Sequence, residues 1–128
     1  MATLQHPTSV RNTIADAVVD LIDAGSGAGS LVFYTSNTGT ALATLTFSDP
    51  AFGAAANGVA TAATITSNTN TGSGTVTWFK ALDSDSNIVF EGDVTDDDTG
   101  TGSIQLSSVA LGTGDTVSVS TLTYTAPN

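Results

Sequence analysis

The chain changes its hydrophobic rhythm near residue 30. Before that point the apolar positions recur with a helical period. Val10, Ile14, Ala17, Val18, Leu21 and Ile22 follow the i, i+4, i+7, i+8 spacing of one buried face, which predicts a helix over residues 8–24. Thr8 or Ser9 is placed to accept the free N–H groups of the first turn, and Gly25 to end the helix in the left-handed conformation. The opposite face carries Asn12, Asp16, Asp20 and Asp23. Asp16 and Asp20 repel one another, and Asp20 and Asp23 lie near the negative end of the helix dipole, each at a cost of about 1 kcal/mol or less. This face has two readings: a solvated polar surface, or an acidic stripe that meets basic groups on another subunit.

From residue 31 the pattern becomes short apolar or alternating runs between clusters of Ser, Thr, Asn, Asp and Gly. Strands are predicted at 31–35, 41–47, 59–66, 75–82, 88–94, 103–109 and 116–124, which makes about seven. The runs 75–82 and 88–94 flank a polar turn and form a hairpin with Trp78, Lys80 and Glu91 in it. Either of its faces could be the inner one. Residues 51–58 read as a loop in which Phe52 plugs the end of the core, and 67–74 as a long polar tip. In the last run Val117 and Val119 are in one phase and Leu122 and Tyr124 in the other, so a bulge is expected near Ser120. The expected fold class is mainly β: a single β-sandwich, jelly-roll-like domain with one N-terminal α-helix. Its parts are an arm at 1–7, the helix at 8–24, a Gly/Ser connector at 24–30 and the sandwich at 31–125.

Composition narrows the function. Hydrophobic residues are 40% of 128, but aromatics only 6%, so the core is built from small side chains. Twelve acidic residues stand against two cations, Arg11 and Lys80, for a net charge of −10. A phosphate backbone needs several Lys or Arg contacts, so neither nucleic acid nor an anionic membrane is an expected partner. There is no Cys for a disulfide or a thiolate. Residues 1–10 show no apolar stretch of a secretory signal.

Candidate chemistry is sparse, and no enzyme activity or cofactor is expected. A Ser-His-Asp site would have to use His6, beside Pro7 in the arm. Asp83, Asp85 and Asn87 resemble the start of a calcium loop, yet the sixth position is Ile88 rather than Gly and the twelfth is Val94 rather than Glu. Their other reading is a turn whose side chains bond its own backbone. Asp93 with Asp96, Asp97 and Asp98 is a second possible cation cluster or a solvated loop. Trp78 is either a stacking platform for sugar or a core or interface residue, with Lys80 snorkelling beside it. The interface candidates are His6, Arg11, Asp16, Asp20, Trp78 and Lys80.

Four stretches carry a resemblance: DAVVDLIDAGSGAGSLVFYT, LATLTFSDPAFGAAANGVATA, TWFKALDSDSNIVFEGDV and a Thr-rich end, TYTAP. Together they resemble a group of small tailed-bacteriophage and prophage virion proteins, of the kind that look like capsid decoration, or cement, proteins. The resemblance implies a non-enzymatic protein on the outer surface of the virion capsid. It implies the major capsid protein as partner and a homotrimer as the working form. A tail or head–tail joining protein, and a carbohydrate-binding module on the particle surface, are the alternatives.

Overall fold

The computed structural model describes residues 4–68, 71–96, 104–106, 108–119 and 122–126. The first three residues of the arm, the tip at 69–70, the acidic loop after Asp96 and the expected bulge at Ser120 lie outside the described residues.

Helix α1 spans Thr8–Asp20 and tightens into a 3₁₀ turn at Leu21–Asp23. Its buried residues are Ala15, Val19 and Ile22. The helix is where the spacing places it and Ile22 is buried as the apolar count implies, but the other fully buried positions are Ala15 and Val19 rather than 10, 14, 17, 18 and 21, with Ile14 only partly buried against the core. Leu21 is consequently 54% exposed and Val10 40%. Neither Thr8 nor Ser9 caps the helix. Pro7 takes the cap position, and its carbonyl accepts the N–H groups of Val10 and Arg11 at 3.0 Å. Gly25 is not left-handed; among the described residues positive-φ glycines are Gly58, Gly74 and Gly114. It is small because a Cβ there would overlap Ser84.

The centre of the fold is an open five-stranded sheet. Its strands are β1 (Ser30–Tyr34), β2 (Ala41–Thr46), β5 (Trp78–Leu82), β6 (Ile88–Asp96) and β7 (Ile104–Leu106), in the order β2-β1-β5-β6-β7. All neighbours are antiparallel except β6 and β7, which are parallel. The remaining strands form two small ribbons. One pairs β3 (Val59–Thr61) with β9 (Thr123–Thr125), and the other pairs β4 (Gly74–Thr75) with β8 (Ala110–Leu111).

This architecture overturns the β-sandwich and jelly-roll expectation. The fold is a mixed α/β arrangement with nine short strands in three open sheets among the described residues. The reason lies in two runs outside the large sheet. The run at 59–66 is Ala- and Thr-rich, and it pairs as a strand only over Val59–Thr61 before single bridges at Ala62 and Thr66. The run at 116–124 keeps one bridge at Val117 and a strand at Thr123–Thr125. Three of the eight residues at 59–66 are Ala, which fits a pleated surface poorly, and the β-branched residues of both runs favour extended backbone without supplying a partner strand.

The predicted strand at 75–82 is also split. Val76 turns inward, is 1% exposed and donates its N–H to Val109 O at 2.8 Å. That crossover carries the chain from the β4–β8 ribbon into β5. The 51–58 segment, read as a loop, ends in a tight hairpin instead. Asn57 (φ 54°) and Gly58 (φ 77°) both have positive φ, and Ala56 and Val59 exchange N–H···O bonds at 2.9 Å.

One face of the large sheet shares a single apolar core with α1, the 51–58 segment and the β3–β9 ribbon. Leu45, Leu31, Ala81 and Phe90 lie in one register row of this face, and Ala43, Phe33 and Phe79 in the next. Phe90 anchors an aromatic group, with ring centroids 6.1 Å from Phe79, 6.5 Å from Phe52 and 5.3 Å from Tyr124. Phe52 is buried at the end of the core. The outer edge of β2 is covered, since Gly72 N–H donates to Leu42 O at 2.8 Å and Thr46 bridges Thr66.

Candidate functional site

Alternation along the strands settles which face of the hairpin is inner. Phe79 and Ala81 point into the core, so Trp78, Lys80 and Leu82 take the other face. Register then fixes their neighbours. Tyr34, Trp78 and Asp93 lie side by side in one row, and Val32, Lys80 and Glu91 in the next. The Trp78 indole N–H donates to Glu91 Oε1 at 2.8 Å. Lys80 Nζ stands 4.8 Å from the centre of the Tyr34 ring. Such a cation–π contact is worth about 0.5–1 kcal/mol at an exposed site. The sole Trp, the sole Lys and the sole Glu of the chain thus meet on one solvent-facing surface. At one end of it Ile88, the register partner of Leu82, is 50% exposed. The sequence pairs Trp78 with Lys80, but Tyr34 and Glu91 join them only once strand register is known.

The acidic helix face is resolved differently. Three of its four polar residues are turned onto the 51–58 segment and hold its backbone. Ala51 N–H donates to both carboxylate oxygens of Asp23, at 3.0 and 3.2 Å. Ala55 N–H donates to Asp16 Oδ1 at 2.7 Å, and Gly58 N–H to Asn12 Oδ1 at 2.7 Å. Positions 12, 16 and 23 line one stripe next to the buried stripe at 15, 19 and 22, which explains why the helix is rotated as it is. Asp16 therefore serves an intramolecular contact, while Asp20 stays exposed. Burial pushes the Asp23 carboxyl above its ordinary range, helped by the charges of Asp49 and Asp20 and opposed by the Ala51 N–H. Arg11 lies over Gly58, where any Cβ would press on its guanidinium. His6 is half-buried in the arm ahead of α1.

In the 83–87 turn the Asp83 carboxylate is occupied by its own loop. Oδ1 accepts the N–H groups of Asp85 and Asn87, both at 2.9 Å, and Oδ2 accepts the Asn87 side-chain amide at 3.0 Å. These bonds, the Asn87 N–H first, hold the Asp83 carboxyl below its ordinary range. The geometry is that of a side-chain-closed turn, with Ser86 at φ 69°. No group of three or more His, Cys, Asp or Glu placed to hold a metal ion occurs among the described residues. A shallow cavity of about 300 Å³ lies by Ser108, Asp115, Thr116 and Ser118. Asp115, its one carboxylate, accepts the Gly112 N–H at 2.7 Å and shapes its own turn.

No helix among the described residues is long and apolar enough to cross a membrane. No protein-family model, curated protein or solved structure matches the chain, so terms such as phage, virion and capsid find no support in those comparisons.

Proposed function

We propose that this chain is a non-enzymatic structural protein that docks the open face of its large sheet on a protein shell. We take that shell to be the outside of a tailed-phage head. The observation that carries the docking is the convergence of Tyr34, Trp78, Lys80 and Glu91 on one solvent-facing surface. Trp and Tyr are the residues that most often anchor protein interfaces, and here both are pre-oriented by a charged neighbour. The setting rests on the resemblance of the four sequence stretches to phage decoration proteins. A net charge of −10 supports the outside of a shell, because packaged DNA would repel the chain.

The test uses phage heads assembled without this chain. Purified protein is added, the heads are sedimented, and bound copies are counted by quantitative mass spectrometry. Retention at a copy number comparable with the shell subunit, lost in Trp78→Ala, is the expected result. No retention refutes the reading. A handful of copies per particle moves the protein to the tail or the head–tail joint. Specific glycan binding lost in Trp78→Ala replaces docking with carbohydrate recognition.

A further inference from the structure

Strand β6 is paired along only part of its second edge. Its first edge bonds β5 from Ile88 to Asp93, but on the other side β7 pairs only at Val94–Asp96. Among the described residues, the second edge at 88–92 has no ladder partner. Strand β9 is likewise paired, among the described residues, on one side alone, with β3. The hydrogen-bond parity shows which groups point outward. Val94 N–H donates to Thr77 O, so in this ladder Gly92 and Val94 face β5 while Glu91 presents its N–H and C=O to the open side. In β9 the bonds Ala62 N–H to Leu122 O and Ala126 N–H to Gly58 O turn residues 122, 124 and 126 toward β3. Thr123 and Thr125 face away.

Both open edges line the same cavity, about 230 Å³, with Phe79, Phe90, Leu122 and Tyr124 among its walls and Glu91, Thr123 and Thr125 at its rim. An apolar β edge of sequence Ile-Val-Phe with one nearby charge is the kind that proteins normally cover. We infer that this cavity is a strand slot, and that its occupant is the arm of a second copy, Leu4 to Pro7, added as an extended strand beside β6.

Three observations select that occupant. The arm is non-helical, and Leu4 is 78% exposed, the most exposed large hydrophobic residue described. The arm has no acidic residue, so it approaches the Glu91 rim without the repulsion that most of this chain would meet. The arm also leaves the protein near one end of the slot, because Arg11 lies over Gly58, whose carbonyl accepts the N–H of Ala126, next to Thr125. A root beside the slot lets one copy pass its arm to the next while receiving another. Main-chain bonds give such strand addition its affinity, and one side chain in a pocket gives it specificity. Leu4 is that side chain.

The chain has no cysteine, so engineered pairs report cleanly. Sedimentation at tens of micromolar is compared for the wild type and Leu4→Asp. Singly substituted Leu4→Cys and Thr123→Cys chains are then mixed under mild oxidation. The wild type is expected to associate and Leu4→Asp to remain monomeric with an unchanged circular dichroism spectrum. The mixed disulfide should form about tenfold or more faster than between Leu4→Cys and Thr46→Cys chains, as a high local concentration dictates. A monomeric wild type, an assembly indifferent to Leu4→Asp, or a Leu4→Cys, Thr123→Cys double variant that closes within one chain would each overturn the inference. None of these outcomes bears on the sheet face that docks on the shell.

Discussion

Replacing Asp16 by Ala removes the acceptor for one backbone N–H, that of Ala55, in a half-buried setting. A hydrogen bond to a charged group is worth about 1.5–3 kcal/mol net, and water reaching a half-exposed amide moves the cost to the lower end, about 1–2 kcal/mol. Ala also has the better helix propensity, which returns up to about 0.7 kcal/mol, and the Asp16–Asp20 repulsion is relieved in either variant. Asp20→Ala carries the same propensity and Asp16–Asp20 repulsion changes without the lost bond, and it also relieves a charge at the negative end of the helix dipole and beside Asp23. The difference between the two substitutions is therefore the clamp plus that relief, at least about 1–2 kcal/mol, and Asp16→Asn separates the two contributions. At about 2.1 cal/mol/K per residue over 128 residues, that difference is a gap of roughly 4–7 °C in Tm. Urea unfolding followed by Trp78 fluorescence and by circular dichroism measures it. Asp16→Asn keeps an acceptor oxygen and should recover most of the loss. Hydrogen exchange at the Ala55 amide should accelerate in Asp16→Ala alone. If Asp16→Ala and Asp20→Ala differ by less than about 0.5 kcal/mol, the bond does not hold the helix to the 51–58 segment, and the account of its rotation fails.

Two carboxyl groups with opposite shifts predict a stability maximum in mild acid. Asp23 is raised, so its contribution is fully present below its unfolded value of 3.8 and lost as pH climbs through the folded value; Asp83 is lowered, so its contribution is present above 3.8 and lost as pH falls through the folded one. Tm should therefore rise as pH drops from neutral toward the carboxylate range and fall again below it, and Asp23→Asn should flatten the upper limb only. Gly29→Ala should cost about 2 kcal/mol or more in chemical denaturation, because its Cβ would overlap Leu82 O and the Ile22 side chain, whereas Gly27→Ala meets nothing and should be near neutral. Glu91→Gln keeps an acceptor for the Trp78 indole but loses its charge; it should change stability by less than about 1 kcal/mol while shifting Trp78 emission, and an unchanged spectrum would remove Glu91 from the indole's surroundings.

Local signals in the chain carried the helix and four strands of the large sheet, and failed at the runs that lie outside it. The helix, the strands near 31–34 and 41–46, and the β5–β6 hairpin follow from periodicity and from β-branched and aromatic runs, because each is decided by neighbours in sequence. The helix rotation was hidden because Asp16, Asp23 and Asn12 look like a solvent face until the partners at Ala51, Ala55 and Gly58 are in place. One signal did exist. Asn57-Gly58 before Val-Ala-Thr is a strong short hairpin cue, and it marks the segment that the helix holds. The missing second sheet left no such cue, since alternation at 59–66 and 116–124 is compatible with a strand but does not supply a partner. For the candidate surface, Trp78 and Lys80 were visible as neighbours two residues apart. Tyr34 and Glu91 enter through register across β1, β5 and β6, which no local pattern encodes.

The same contrast explains how so acidic a chain holds its shape. With two cations for twelve acids, ion pairs cannot neutralise the carboxylates. The fold uses several of them as acceptors for its own backbone instead: Asp16 and Asp23 for the 51–58 segment, Asp83 for the turn at 83–87, Asp115 for the turn at 112–115. Each such bond satisfies an N–H that a loop would otherwise leave to water, and each fixes a loop where the sequence has few large apolar side chains to do so. Arg11 lies over the Asn57-Gly58 turn beneath the arm, and Lys80 lies over Tyr34 on the open sheet face. The scarce positive charges thus stand beside the two places where this chain is proposed to meet another, which is where a net charge of −10 would otherwise oppose contact most.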